Sequence, residues 1–78
     1  MKSHFGNVSR KFRKEVRWSQ GRFAKAIGVS QGLVSLWELG FAEPSSEKLA
    51  EIERVMKVVR DAEHAAERAR QNVLNTLR

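Results

Sequence analysis

Between Trp18 and Ser46 the chain alternates residues that start helices with residues that stop them. Ser19 can accept from the free amides of a first helical turn, and Phe23, Ala24 and Ile27 then fall on one inward stripe. Gly28 ends that stripe at no cost, because a residue without Cβ enters the left-handed backbone freely. Ser30 caps the next segment, in which Val34 and Trp37 face inward with Phe41 close behind, and Gly40 closes it. Gln31, Gly32, Ser35, Leu36 and Leu39 are left on the outer face. The pattern predicts two short helices joined sharply across Gly28-Val29-Ser30.

The flanks read as helices too. Phe5, Val8, Phe12 and Val16 recur at spacings of three and four and share one face, while Arg10, Lys11, Arg13, Lys14 and Arg17 point elsewhere. Asn7 is a candidate N-cap for this first helix, and Ser3 would serve an earlier start. Pro44-Ser45-Ser46-Glu47 combines a residue that cannot continue a helix with two caps and an early carboxylate, and so opens a fourth. From Glu47 to Arg78 there is neither Gly nor Pro. Ile52, Val55, Val59, Ala62, Ala66, Ala69, Val73 and Thr76 form a heptad-like seam there. Unbroken, this stretch would span about 48 Å at 1.5 Å per residue, more than a small globule needs. Asp61 is a candidate cap for a separate last helix, and two segments or one bent helix is the favoured expectation.

A chain of 78 residues supports one domain and buries only about 60% of its unfolded surface. Such chains gain stability from disulfides, metals or association. Cys is absent and the two histidines, His4 and His64, lie far apart, which leaves association. No apolar run approaches the ~18 residues of a membrane span, and no signal-peptide core follows Met1-Lys2-Ser3-His4. A cytoplasmic protein is expected. The net charge of +6 is unevenly spread: residues 1–40 carry eight Lys or Arg against Glu15 and Glu38, whereas residues 41–78 carry seven of each sign. The whole excess lies on the glycine-punctuated half, as expected of a surface that meets a polyanion.

Ser19 to Gly40 resembles the helix-turn-helix of the phage Cro and repressor proteins, the XRE family. The likeness includes the Ser-Gln opening, the small Ala24, the Gly-Val-Ser turn, the inward Val34, the Trp37-Glu38 pair and Gly40. It extends from Phe12-Arg13 through Pro44-Ser45 and Leu49. The resemblance implies an all-α fold of four to five helices, a lambda-repressor-like helix-turn-helix domain with an extended C-terminal helix. It also implies that Gln20 contacts a phosphate together with Arg17 and Arg22, and that Gln31, Gly32, Ser35 and Leu36 face base edges. Gln31 can pair bidentately with adenine, while Leu36, with Leu33 as a further candidate, would pack on thymine methyl groups. Arg13 stands where the family pairs an Arg with the carboxylate at Glu38, the alternative being two separate surface charges. Gly32, Leu36 and Leu39 depart from the family's polar pattern, so exposed leucines can equally mark a protein contact.

No enzyme is expected. Glu63 and Glu67 are four apart, but no Ser, Cys or His joins them into a nucleophile and base, and no cofactor or metal is implied. Residues 1–57 are assigned to DNA binding. Residues 58–78 are assigned to dimerisation through Val59, Ala62, Ala66, Ala69 and Val73. The expected function is a small dimeric transcriptional regulator of phage or plasmid type, a repressor or autoregulator with no room for a sensor domain. It would occlude promoters by binding a palindromic double-stranded operator. The alternative is an antitoxin or adaptor whose C-terminal helix holds a second protein. RNA suits the chain less well, because Phe12, Phe23 and Trp37 are expected inside rather than offered for stacking.

Overall fold

A computed structural model describes residues 4–77. It contains four α-helices, α1 (His4–Val16), α2 (Gln20–Ile27), α3 (Gln31–Leu39) and α4 (Ser46–Thr76), and no strand among the described residues. Three of the helices start in the same way. Ser19, Ser30 and Ser45 sit in extended backbone, and each hydroxyl accepts from the amide of the third residue of its helix, Arg22, Leu33 and Lys48, at 3.0–3.1 Å. Two of them stop in the same way. Gly28 and Gly40 adopt φ of 74° and 84°, and the following amides of Val29 and Phe41 reach back to Ala24 and Leu36.

α1 and α2 both lie against α3, and the first half of α4 closes the bundle. Phe12, Phe23, Val34, Trp37 and Ile52 are almost wholly buried at the centre, each worth about 1.5–3 kcal/mol on removal from water. The ring of Phe5 meets Trp37 edge-on at 5.2 Å, and Phe12 lies 5.4 Å from Phe23. α1 and α3 touch backbone to backbone at Gly6, where a Cβ would collide with the Trp37 carbonyl oxygen.

The structure corrects three expectations. α1 is already helical at His4, so Asn7 lies inside it rather than capping it, and its Oδ1 accepts from Arg10 Nη2 at 2.6 Å. Packing of Phe5 on Trp37 holds that early turn in place. The other candidate cap, Ser3, lies outside the described residues. Phe41 is not inward but 78% exposed, because the left-handed turn at Gly40 swings the chain outward and Ala42 takes the place against the core. Asp61 starts no separate helix. α4 runs unbroken through it, and its carboxylate pairs with Lys57 one turn earlier at 3.3 Å.

The unbroken α4 sets the outline of the molecule, 51 × 21 × 20 Å. Arg60 marks where it leaves the globule: its guanidinium pairs with Glu15 of α1 at 3.2 Å and lies over the Phe12 ring. Beyond Arg60 every described residue is exposed. Among the described residues no helix is long and apolar enough to cross a membrane.

Candidate nucleic-acid interface

The short turn Gly28-Val29-Ser30 carries the chain from α2 into α3 and leaves the N-terminal end of α3 facing outward. Gln31 and Gly32 are exposed, Ser35 is half-buried one turn further on, and Leu36 beside it is 44% exposed. These four fall on one helical face. Gln31 leans on the first turn of α2, its Oε1 lying 3.3 Å from where a Cβ on Gly21 would stand. Leu33 differs from the others. It is half-buried, as Ser35 is, and packs in part against the core.

The basic side chains of α1, α2 and the turn between them are sorted by the fold. Arg22 lies 4.8 Å above the ring of Trp18, which itself packs edge-on to Phe12, so its guanidinium is held beside the start of α2. Arg17, in the turn between α1 and α2, has φ of 58°, a left-handed conformation unusual for a side chain of its size. Lys11, Lys14 and Lys25 are exposed. Arg10 is partly diverted inward, since it bonds the carbonyl of Glu38 and the side chain of Asn7.

The frame that holds the face is a polar cluster around Glu38. Its carboxylate is nearly buried, with 4% of its side chain exposed. It accepts from Arg13 Nε and Nη2 at 2.8 and 2.6 Å, from Ser9 Oγ at 2.6 Å and from Gln20 Nε2 at 3.1 Å. One carboxylate on α3 thereby collects donors from α1 and α2. The fork geometry of Arg13 is the bidentate arrangement that suits a carboxylate, and its remaining Nη1 donates to the Trp18 carbonyl at 3.1 Å. Burial pushes the Glu38 carboxyl up, but the donors Arg13, Ser9 and Gln20 outweigh it and hold the group below the usual carboxylate range. The same hydrogen bonds to Glu38 raise Arg13.

Arg13 and Glu38 are therefore together, as are Gln31, Gly32, Ser35 and Leu36 on one face. Gln20 stands at the start of α2, where its side-chain amide donates to Glu38 and its backbone amide is one of the first-turn donors without an intrahelical acceptor. The dimerisation candidates divide. Val59 packs against the core, whereas Ala62, Ala66, Ala69 and Val73 are exposed along the projecting part of α4. Helical periodicity alone does not single out Ser9, although a polar residue within the stripe of Phe5, Phe12 and Val16 is a signal for it. Lys48 likewise has no signal in the sequence pattern: its Nζ donates to the Ile27 carbonyl at 2.8 Å and ties α4 to the end of α2. Among the described residues no group of His, Cys, Asp and Glu is placed to hold a metal ion.

A family model described as helix-turn-helix matches residues 10–61, from the middle of α1 to the point where α4 leaves the globule. The chain belongs to the XRE-type helix-turn-helix family of DNA-binding proteins. Comparison with curated proteins and with solved structures returns no match. In helix-turn-helix terms α2 is the first helix of the motif and α3 the recognition helix, whose width suits the major groove of about 12 Å. Members of such a family bind double-stranded DNA and regulate transcription. The Glu38 cluster is then the brace that fixes the recognition helix against α1 and α2, the kind of support a precise binding face requires.

Proposed function

We propose that the protein is a sequence-specific transcriptional regulator that binds a two-fold symmetric operator as a homodimer and represses by occluding the promoter. The observation that carries the proposal is the exposed N-terminal half of α3, with Gln31 and Gly32 outermost, in a chain whose α2 holds Arg22 over the Trp18 ring. Gln31 reads adenine through a bidentate pair, Ser35 adds a hydroxyl, Leu36 meets a thymine methyl, and Gly32 lets the helix backbone approach the bases. Arg17 and Arg22 contact phosphates, and Gln20 joins them through its backbone amide at the positive end of α2. Residues 1–57 form the binding unit, and the projecting helix from residue 58 onward joins two copies through Val59, Ala62, Ala66, Ala69 and Val73. A cytoplasmic switch or autoregulator of phage or plasmid type fits this design, with occupancy set by protein concentration.

Titrating duplex DNA at several salt concentrations tests the binding mode. If a dimer neutralises about six phosphates, log K falls against log salt with a slope of about −5, and Arg22→Ala makes the slope shallower by about one per subunit. An affinity independent of salt contradicts the proposal.

One observation favours a second role. Leu39 is 63% exposed and Phe41 78% exposed next to Leu36, an apolar patch of the kind that marks protein contacts. An adaptor or antitoxin would use it to hold another protein. Co-purification of a neighbour-encoded protein, together with failure to shift a palindromic upstream fragment, would favour that role.

A further inference from the structure

Beyond Arg60, α4 projects with every described residue exposed. Packing rather than propensity stabilises most helices, and among the described residues nothing packs on this stretch. Val58, Leu74 and Leu77 are exposed off to the sides, but most other apolar positions share one face. Val59, Ala62, Ala66, Ala69, Val73 and Thr76 continue the a and d positions of one heptad seam out of the core, since Val59 still touches the core while Val73 is 58% exposed.

We propose that this face pairs with the same face of a second copy of the chain, antiparallel, about a two-fold axis passing between Glu67 and Arg68. The dimer itself rests on the function proposed above. What is added is the direction and register of the pairing. In this arrangement Ala66 packs against Ala69 of the second copy, Ala62 against Val73, and Val59 against Thr76, and every exposed seam position is used.

Charge selects this arrangement. Glu63 and Arg70 occupy e positions on one flank of the seam, and antiparallel helices place e opposite e. In the stated register each Glu63 faces Arg70 of the second copy, giving two symmetric pairs. Sliding by one heptad in either direction sets Arg70 against Arg70 or Glu63 against Glu63. A parallel pair, in which g faces e, would place Glu63 opposite Val58 and Arg70 opposite Ala65 and satisfy neither charge. Alanines bury little area and so discriminate poorly between registers, which leaves the like-charge penalty to decide. Within its own helix Arg70 pairs with Glu67 at 2.8 Å, but both side chains are more than half exposed, so that contact is weak and can be shared.

The geometry has a consequence for DNA. From Val59 to Thr76 the paired helices overlap over about 26 Å, and the two globular domains hang at opposite ends. The register therefore sets the separation of the two recognition helices, to be compared with the ~34 Å of a helical turn between half-sites.

The chain has no cysteine, so engineered thiols report the pairing without background. Ala62→Cys and Val73→Cys are oxidised separately and as an equimolar mixture, with sedimentation and duplex binding measured on the same samples. The mixture is expected to give a disulfide-linked species containing one chain of each kind, while neither variant links to itself. Glu63→Arg or Arg70→Glu alone is expected to weaken the dimer about tenfold, and the double exchange to restore it. Self-linking of Ala62→Cys would mean a parallel pair and overturn the proposal. A dimer with no cross-link in the mixture would overturn it in favour of another face, and a monomer would overturn it outright. Duplex binding retained in any of these cases leaves the DNA-binding function standing, and its loss in samples that do cross-link as expected counts against that function alone.

Discussion

The hydroxyl of Ser9 on α1 donates to the carboxylate of Glu38 on α3 at 2.6 Å, with Ser9 fully buried. This contact joins α3, the second helix of the helix-turn-helix, to α1 behind it. With Arg13 and Gln20 on the same carboxylate, three helices meet at one group, and the orientation of α3 depends on it.

The two halves of the ion pair are unequal. Arg13 keeps 21% of its side chain in contact with solvent, while Glu38 keeps 4%. Removing the arginine strands a buried carboxylate, whereas neutralising the carboxylate leaves a guanidinium that can turn to water. Arg13→Ala is therefore expected to cost about 3 kcal/mol and Glu38→Gln about 1–2 kcal/mol. Urea unfolding at neutral pH measures both, and the order of the two midpoints is the decisive reading.

Stability should also fall in acid in a defined way. The folded chain holds Glu38 below its ordinary value of 4.5, so in acid the unfolded chain binds the proton more readily. The contribution is fully present above that value and is lost as pH falls through the folded pKa. Unfolding midpoints measured from neutral pH down to pH ~3 should drop for the natural chain, and Glu38→Gln should flatten that part of the curve.

Much of the motif was legible because its signals are local. A serine that caps and a glycine that turns act within one helical turn, so the limits of α2 and α3 follow from Ser19, Gly28, Ser30 and Gly40 alone. Phe41 misled because helical spacing carries past Gly40 even though the backbone does not. A break at Asp61 follows only from the short span that a small globule needs to cover, whereas the absence of Gly and Pro and the Lys57–Asp61 pair govern the local outcome. The partners of Glu38 depend on how α1 crosses α3. The family resemblance carried Arg13, while Ser9 and the Gln20 side chain came only with the three-dimensional arrangement.

Arg17 carries a cost that its position explains. Its φ of 58° ends α1 in the left-handed turn that glycine provides at Gly28 and Gly40, and the Trp18 amide reaches back to the Arg13 carbonyl at 2.9 Å. Arg17→Gly should raise stability by about 1 kcal/mol by removing the strain. If the side chain serves a phosphate, the same change should weaken duplex binding. Thermal unfolding and DNA titration of this one variant measure the opposed effects.

In the proposed function the exposed end of α3 reads DNA sequence. Selection of bound duplexes from a random pool, run in parallel with the natural chain and with Gln31→Ala, tests it most directly. The expected result is a two-fold symmetric site containing an adenine in each half, at a position where Gln31→Ala loses its preference while the rest of the site is kept. Enrichment of no sequence, or an identical site from both proteins, would contradict it.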